Sequence, residues 1–166
     1  MATLPNRIWL STSLLENTTR CLRSFGVEGE KHEGIVYWAG VETVSHWWLL
    51  ACIRPDAVTT WGSYQTTAAT NAKAILAASR YELHILAQVH SHPGNWVSHS
   101  QGDQEGALMP FEGFLSVVVP NYGLQDVFSL EQCGIHRFEK GQFRHLVNSQ
   151  VKTLFHIVPT ELSINE

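Results

Sequence analysis

The stretch HSHPGNWVSHSQGD, residues 90–103, decides how the rest of the chain is read. It continues an apolar run, ELHILAQVH, that predicts a buried strand over 82–90. His90 and His92 stand two apart at the end of that strand. Side chains at i and i+2 of a strand share a face, so the two imidazoles form a natural bidentate metal grip. Pro93 ends the strand, which predicts that the pair sits at the sheet edge, open to solvent and substrate. Asp103 follows eleven residues after His92, in the first turn of a short helix expected to start near Ser100 and end before Pro110. A loop of that length can fold back and supply a third ligand. Two histidines and one carboxylate leave the fourth tetrahedral position of zinc open, as in catalytic sites, whereas structural sites are closed.

A hydrolytic centre also needs a base and a donor for the developing oxyanion. Ser100 lies three residues before Asp103 and is the candidate donor. The same spacing makes a helix capping box, and one serine can serve both ends. Glu33 opens a strand predicted over 33–42 and is the candidate base, with Glu28 and Glu30 close by. Trp96 lies in the loop between the ligands, where it either touches substrate or packs on the scaffold. Of the nine histidines, His99 reads as a solvated loop residue. His32, His46, His84, His136, His145 and His156 are scattered and receive no role.

Outward from this stretch, residues 8–25 carry apolar positions at helical spacing and predict an amphipathic helix, broken by Gly26 to Gly29. Residues 33–42 and 45–53 read as a strand hairpin. The Ala-rich segment 66–80 predicts a helix with Ala68, Ala72, Ile75, Leu76 and Ser79 on one face. Strands are expected over 113–119, 126–139 and 142–148, and the tail from Thr153 has no strong signal. This order implies an α/β chain of the α+β type: one domain over 1–166, with helices flanking a curved mixed sheet.

The chain has 166 residues, 44% hydrophobic and only 16% charged, with net charge −4. That balance argues against a nucleic-acid partner, whose binding domain is normally basic, and against disorder. The three cysteines, Cys21, Cys52 and Cys133, form no CxxC pair, so no thiolate metal site or disulfide framework is expected. With no apolar signal core near Met1 and no apolar run of membrane-spanning length, the expectation is a cytoplasmic protein without membrane association.

The pattern H-S-H-P, six residues, then S-x-x-D, with an upstream Glu before a G-I-V strand, resembles the JAMM metalloprotease motif of the JAB/MPN domain. His90, His92, Pro93, Ser100 and Asp103 fit it without a gap, and Glu33 to Gly40 looks like the family's first-strand signature. The short chain looks more like compact prokaryotic members than chain-type-selective eukaryotic deubiquitinases. Such proteins accompany bacterial ubiquitin-like conjugation machinery, including antiphage defence operons. The resemblance implies a zinc isopeptidase with one Zn2+ per chain held by His90, His92 and Asp103. It implies that Glu33 activates water and that Ser100 stabilises the oxyanion. The implied substrate is the C-terminal tail of a ubiquitin-like protein joined to lysine or to a downstream peptide. Activating and conjugating enzymes of the same operon are the implied further partners. A non-catalytic MPN scaffold and a processing peptidase for a sulfur-carrier protein are the alternative functions.

Overall fold

The computed structural model describes residues 4–27, 29–108, 110–124 and 129–160. In chain order the first half comprises β1 (Arg7–Ser11), α1 (Thr12–Arg23), β2 (Gly26–Val27), β3 (Glu30–Lys31), β4 (Ile35–Glu42) and β5 (His46–Ile53). There follow β6 (Val58–Thr60), β7 (Ser63–Gln65), α2 (Ala68–Ser79), β8 (His84–Ser91) and α3 (Gln101–Glu105). The last elements are β9 (Leu115–Val119), β10 (Gly134–Glu139), β11 (Gln142–His145), α4 (Asn148–Leu154) and β12 (Phe155–Val158). Eight strands form one mixed sheet in the order β11-β10-β9-β8-β4-β5-β1-β12, and β2–β3 and β6–β7 form separate two-stranded ribbons. This is the α+β architecture expected, a curled mixed sheet with flanking helices.

The central strands form because nearly every residue is apolar and both faces are covered. In β4, Val36 and Trp38 join the core under α1, where Leu14, Leu15 and Leu22 pack. Ile35, Tyr37 and Ala39 point to the opposite face, where Ala74 and Ala78 of α2 cover them. Inside the first core, the Trp38 indole donates to Thr18 Oγ1 at 2.7 Å, and that hydroxyl donates to the Leu14 carbonyl at 2.7 Å. The indole N–H is thereby satisfied where water cannot reach it.

Four expectations need correction. The segment 8–25 is not one helix: β1 occupies its start and lies between β5 and β12, parallel to both. Ile8 and Leu10 are buried while Trp9 faces outward, a strand alternation, and Ser11 then caps α1 by accepting from Leu14 N–H at 3.2 Å. The packed face of α2 is Ala74 and Ala78, whereas Leu76 is 62% exposed. The region 126–139 holds a 3-10 turn (Leu130–Gln132) before β10; residues 125–128 lie outside the described residues. The segment 142–148 is β11 only to His145, and the tail contributes α4 and the edge strand β12. Among the described residues no helix is long and apolar enough to cross a membrane.

Candidate metal centre

The register of the sheet builds the site. Antiparallel pairing of β4 with β8 sets Ile35 opposite His90, so the same register carried two residues further sets Glu33 opposite His92. The junction is fastened where the strands end: Gly34 N–H donates to Ser91 Oγ at 2.9 Å, and Ser91 N–H donates to Gly34 O at 3.0 Å. Gly34 is required there, because a Cβ would stand 2.7 Å from Phe25 Cδ2 and 3.0 Å from Leu22 O. The histidine pair therefore ends a central strand, with His90 fully buried, and does not lie on an edge strand.

Asp103 reaches the pair from the other side. Ser100 caps α3, accepting from Asp103 N–H at 3.1 Å, while its own N–H and Oγ–H donate to Asp103 Oδ2 at 2.7 and 2.8 Å. This capping box turns the carboxylate towards β8. His90 Nε2 lies 3.1 Å from Asp103 Oδ1, His92 Nε2 lies 3.3 Å from Asp103 Oδ2, and the two Nε2 atoms are 3.3 Å apart. Metal bonds of roughly 2.0–2.1 Å aimed at tetrahedral corners put donor atoms about 3.3 Å apart. The Nε2–Nε2 separation matches that edge length, Asp103 presents one oxygen to each ring, and one donor atom from each of the three residues falls within 4.8 Å of the others, a set that fits a divalent metal ion.

The surroundings complete the electrostatics. His92 Nδ1–H donates to the Trp96 carbonyl at 3.0 Å, which leaves the Nε2 lone pair facing the cluster. Burial pushes the Asp103 carboxyl upward, but hydrogen bonds from His90, His92 and the Ser100 backbone win and hold it well below the usual carboxylate range. Burial lowers His90, keeping it neutral and available as a ligand. Glu33 is 6% exposed, and its N–H donates to Thr60 O at 2.9 Å, tying it to the β6–β7 hairpin. Burial raises its carboxyl to about 7, with His92 opposing and Asp103 assisting.

Glu33, Tyr64, His92, Trp96, Ser100 and Asp103 line one cavity of about 430 Å³. All six sequence candidates are thus brought together: Glu33, His92, Trp96, Ser100 and Asp103 line the cavity, and His90 lies buried behind them. Glu30 sits exposed in β3, 3.9 Å from His32 and outside the lining of the cavity; Glu28 lies outside the described residues. Trp96 packs on the scaffold, stacking on His92 with ring centroids 4.8 Å apart, and is 55% exposed.

Sequence reasoning missed Tyr64, whose ring packs 5.1 Å from His90. It missed the β6–β7 hairpin altogether; Tyr122 Oη–H holds that hairpin down by donating to Trp61 O at 2.7 Å. Short, half-exposed strands carry no periodic signal, so little could have revealed them. His99 is also corrected: it is not a solvated loop residue but is bonded to Ser116 Oγ at 2.8 Å and stacked on His136.

No family model matches the chain. A protein of Sinorhizobium fredii (strain NBRC 101917 / NGR234), the probable metalloprotease y4jG, is 30% identical over 130 residues, 71% of this chain and 73% of its own length. The chain belongs to the family of this probable metalloprotease. The fold of this metalloprotease relative recurs in a Desulfitobacterium hafniense protein solved in solution, with TM-score 0.66 and 14% identity, covering 93% of this chain and 94% of that one. A Salinibacter ruber protein overlays with TM-score 0.55 and 16% identity, covering 82% and 87%. A JAB1/MPN domain protein from Archaeoglobus fulgidus has TM-score 0.48 and 14% identity, covering 84% and 96%.

Proposed function

We propose that the protein is a zinc-dependent peptidase or isopeptidase that cuts after the C-terminal tail of a ubiquitin-like protein, releasing it from lysine or from a downstream peptide. The observation that carries this is the convergence of the His90, His92 and Asp103 donor atoms on a cavity shared with Glu33, whose carboxyl titrates near neutrality. When bound by these three residues, zinc supplies Lewis acidity to the scissile carbonyl and to the attacking water. Glu33, as carboxylate, takes the proton of that water and delivers it to the leaving amine, a cycle suited to a group poised near neutrality. Ser100 is the oxyanion donor: its hydroxyl rests on Asp103 Oδ2 and turns to the carbonyl oxygen when substrate arrives, while the Ser100 N–H keeps Asp103 in place.

An extended tail suits the cavity, because β7 lines it and, among the described residues, pairs with β6 alone, leaving backbone groups on its other side for an added strand. Ubiquitin-like conjugates are the partners this predicts, together with the activating and conjugating enzymes that make them. The presence of the whole ligand set disfavours a purely scaffolding role. The test uses purified protein and two probes, a ubiquitin-like protein fused to a C-terminal peptide and the same protein linked to lysine. Cleavage is expected to vanish with chelator, return with zinc, and be absent in Glu33→Ala and His90→Ala. Activity that survives both substitutions overturns the proposal, and cleavage of sulfur-carrier precursors alone redirects it to processing.

A further inference from the structure

Behind the metal ligands, four strands bring polar side chains into one row. Gln88 of β8 pairs with Ser116 of β9, Ser116 with His136 of β10, and His136 with His145 of β11. Gln88 Nε2–H donates to Ser116 Oγ at 3.2 Å, and Gln88 Oε1 accepts from Leu108 N–H at 3.1 Å. His99, from the loop between the ligands, lies on this row. Its Nε2 shares a 2.8 Å hydrogen bond with Ser116 Oγ, and its ring stacks on His136 with centroids 3.8 Å apart and planes 21° apart. The Phe143 ring meets it edge-on at 4.8 Å.

The stacked rings of His99 and His136 are not aimed at a common metal position. Rings stacked face to face keep their nitrogen lone pairs in nearly parallel planes, so they do not converge on one point. Among the described residues, the triad His90, His92 and Asp103 is the group whose ligand atoms do converge. Burial, helped by His136 and His90, holds His99 down at about 3, so it stays neutral and serves by packing and hydrogen bonding.

What His99 controls follows from its place in the chain. The next residue is Ser100, the cap of α3, and the cap orients Asp103. Between His92 and Ser100 the loop is also held at its start, where the Gly94 carbonyl accepts from Asn121 N–H at 3.0 Å and Asn95 Oδ1 accepts from Asn121 Nδ2–H at 2.9 Å, so His99 is the anchor next to the cap. We infer that His99 is a positioning residue: anchored on the Ser116–His136 row, it fixes the Ser100 cap and so the third metal ligand. The inference rests on the zinc assignment of the site and adds to it a determinant of metal affinity that lies outside the ligand set.

The test measures zinc affinity of the full chain by competition with a chromophoric chelator, and the d–d absorption of the cobalt-loaded protein. His99→Leu removes both bond and stack and is expected to weaken zinc binding by about 10- to 100-fold, with an altered cobalt spectrum. His99→Phe keeps the stack on His136 but loses the bond to Ser116, and is expected to shift both readouts in the same direction by less. A merely structural role would lower the unfolding midpoint of the metal-free protein and leave the metal readouts of the folded variant unchanged. Wild-type affinity and spectrum in folded His99→Leu overturn the inference; if that variant does not fold, the same result in His99→Phe overturns it. Wild-type protein that takes up no zinc overturns the metal assignment as well, which separates the two failures.

Discussion

Trp96 contacts His92 twice, through its backbone carbonyl at 3.0 Å from Nδ1 and through its indole, stacked 4.8 Å away with planes 16° apart. The carbonyl sets the tautomer that aims Nε2 at the cluster, and the indole covers the ring while facing the cavity. A cation bound at Nε2 therefore changes the electronic surroundings of one particular tryptophan among six. Zinc titration is expected to change intrinsic fluorescence and to saturate at about one equivalent per chain. In Trp96→Phe the stoichiometry is retained, since the carbonyl belongs to the backbone, and most of the signal is lost. An undiminished fluorescence change in that variant refutes this coupling.

Asp103 is the ligand most sensitive to substitution, because it faces both histidines and closes the cap of α3. Asp103→Asn keeps the shape but removes the charge that balances the metal. Zinc affinity, measured by chelator competition, is expected to fall by at least about 100-fold. Chelation of wild-type protein is expected to lower its unfolding midpoint, since a ligand present at about 100 times its dissociation constant stabilises by roughly 2.7 kcal/mol. The midpoint of Asp103→Asn should not respond to chelator. A response equal to wild type shows that the metal sits elsewhere.

The raised Glu33 carboxyl makes the metal-free protein pH-dependent in a definite direction. Its value in the folded state, about 7, lies above the ordinary 4.5, so the folded chain binds this proton more tightly than the unfolded chain. The stabilisation is fully present below pH 4.5 and is lost as pH rises through about 7. Allowing for partial solvent access, the loss amounts to roughly 1–2 kcal/mol. Denaturant unfolding of chelated protein across that window is expected to show this decline, and Glu33→Gln is expected to flatten it. Parallel pH profiles for the two proteins contradict the assignment. Glu33→Gln should also abolish cleavage while zinc binding persists.

Much of this site was legible because its parts are local. The ligand spacing depends only on a strand alternation and a capping box, both written within residues 90–103, and the apolar runs of β4, β5, β8 and β9 announce buried strands. What escaped notice depends on partners far along the chain. β1 looks helical because Ile8 and Leu10 merge with the apolar spacing of α1, and only pairing with β5 and β12 makes them a strand. β12 itself has four residues, with Ile157 exposed, and gains its place from β1. His99 looks like a solvated loop residue until the β8–β9–β10 register delivers Ser116 and His136 beneath it.

Gly134 tests how tightly the ligand loop is held against the sheet. It opens β10 beside Val118, and a Cβ built there would lie 1.7 Å from the Val97 carbonyl oxygen and 2.8 Å from its carbon. Such an approach to backbone cannot be relieved by a side-chain rotation, so Gly134→Ala must push Val97 away. Val97 stands two residues before His99 in the loop joining His92 to Asp103, so the displacement is transmitted to the α3 cap. The expected cost is about 2–3 kcal/mol of stability, by the same overpacking that strains a filled core. Because the loop moves, zinc affinity should fall together with the unfolding midpoint. Gly141→Ala is the control: a Cβ there meets nothing within 4 Å, although its φ of 82° still strains a side chain. It should lower stability modestly and leave zinc affinity at the wild-type value. Equal zinc affinities for Gly134→Ala and wild type would mean that the loop is not clamped by this contact.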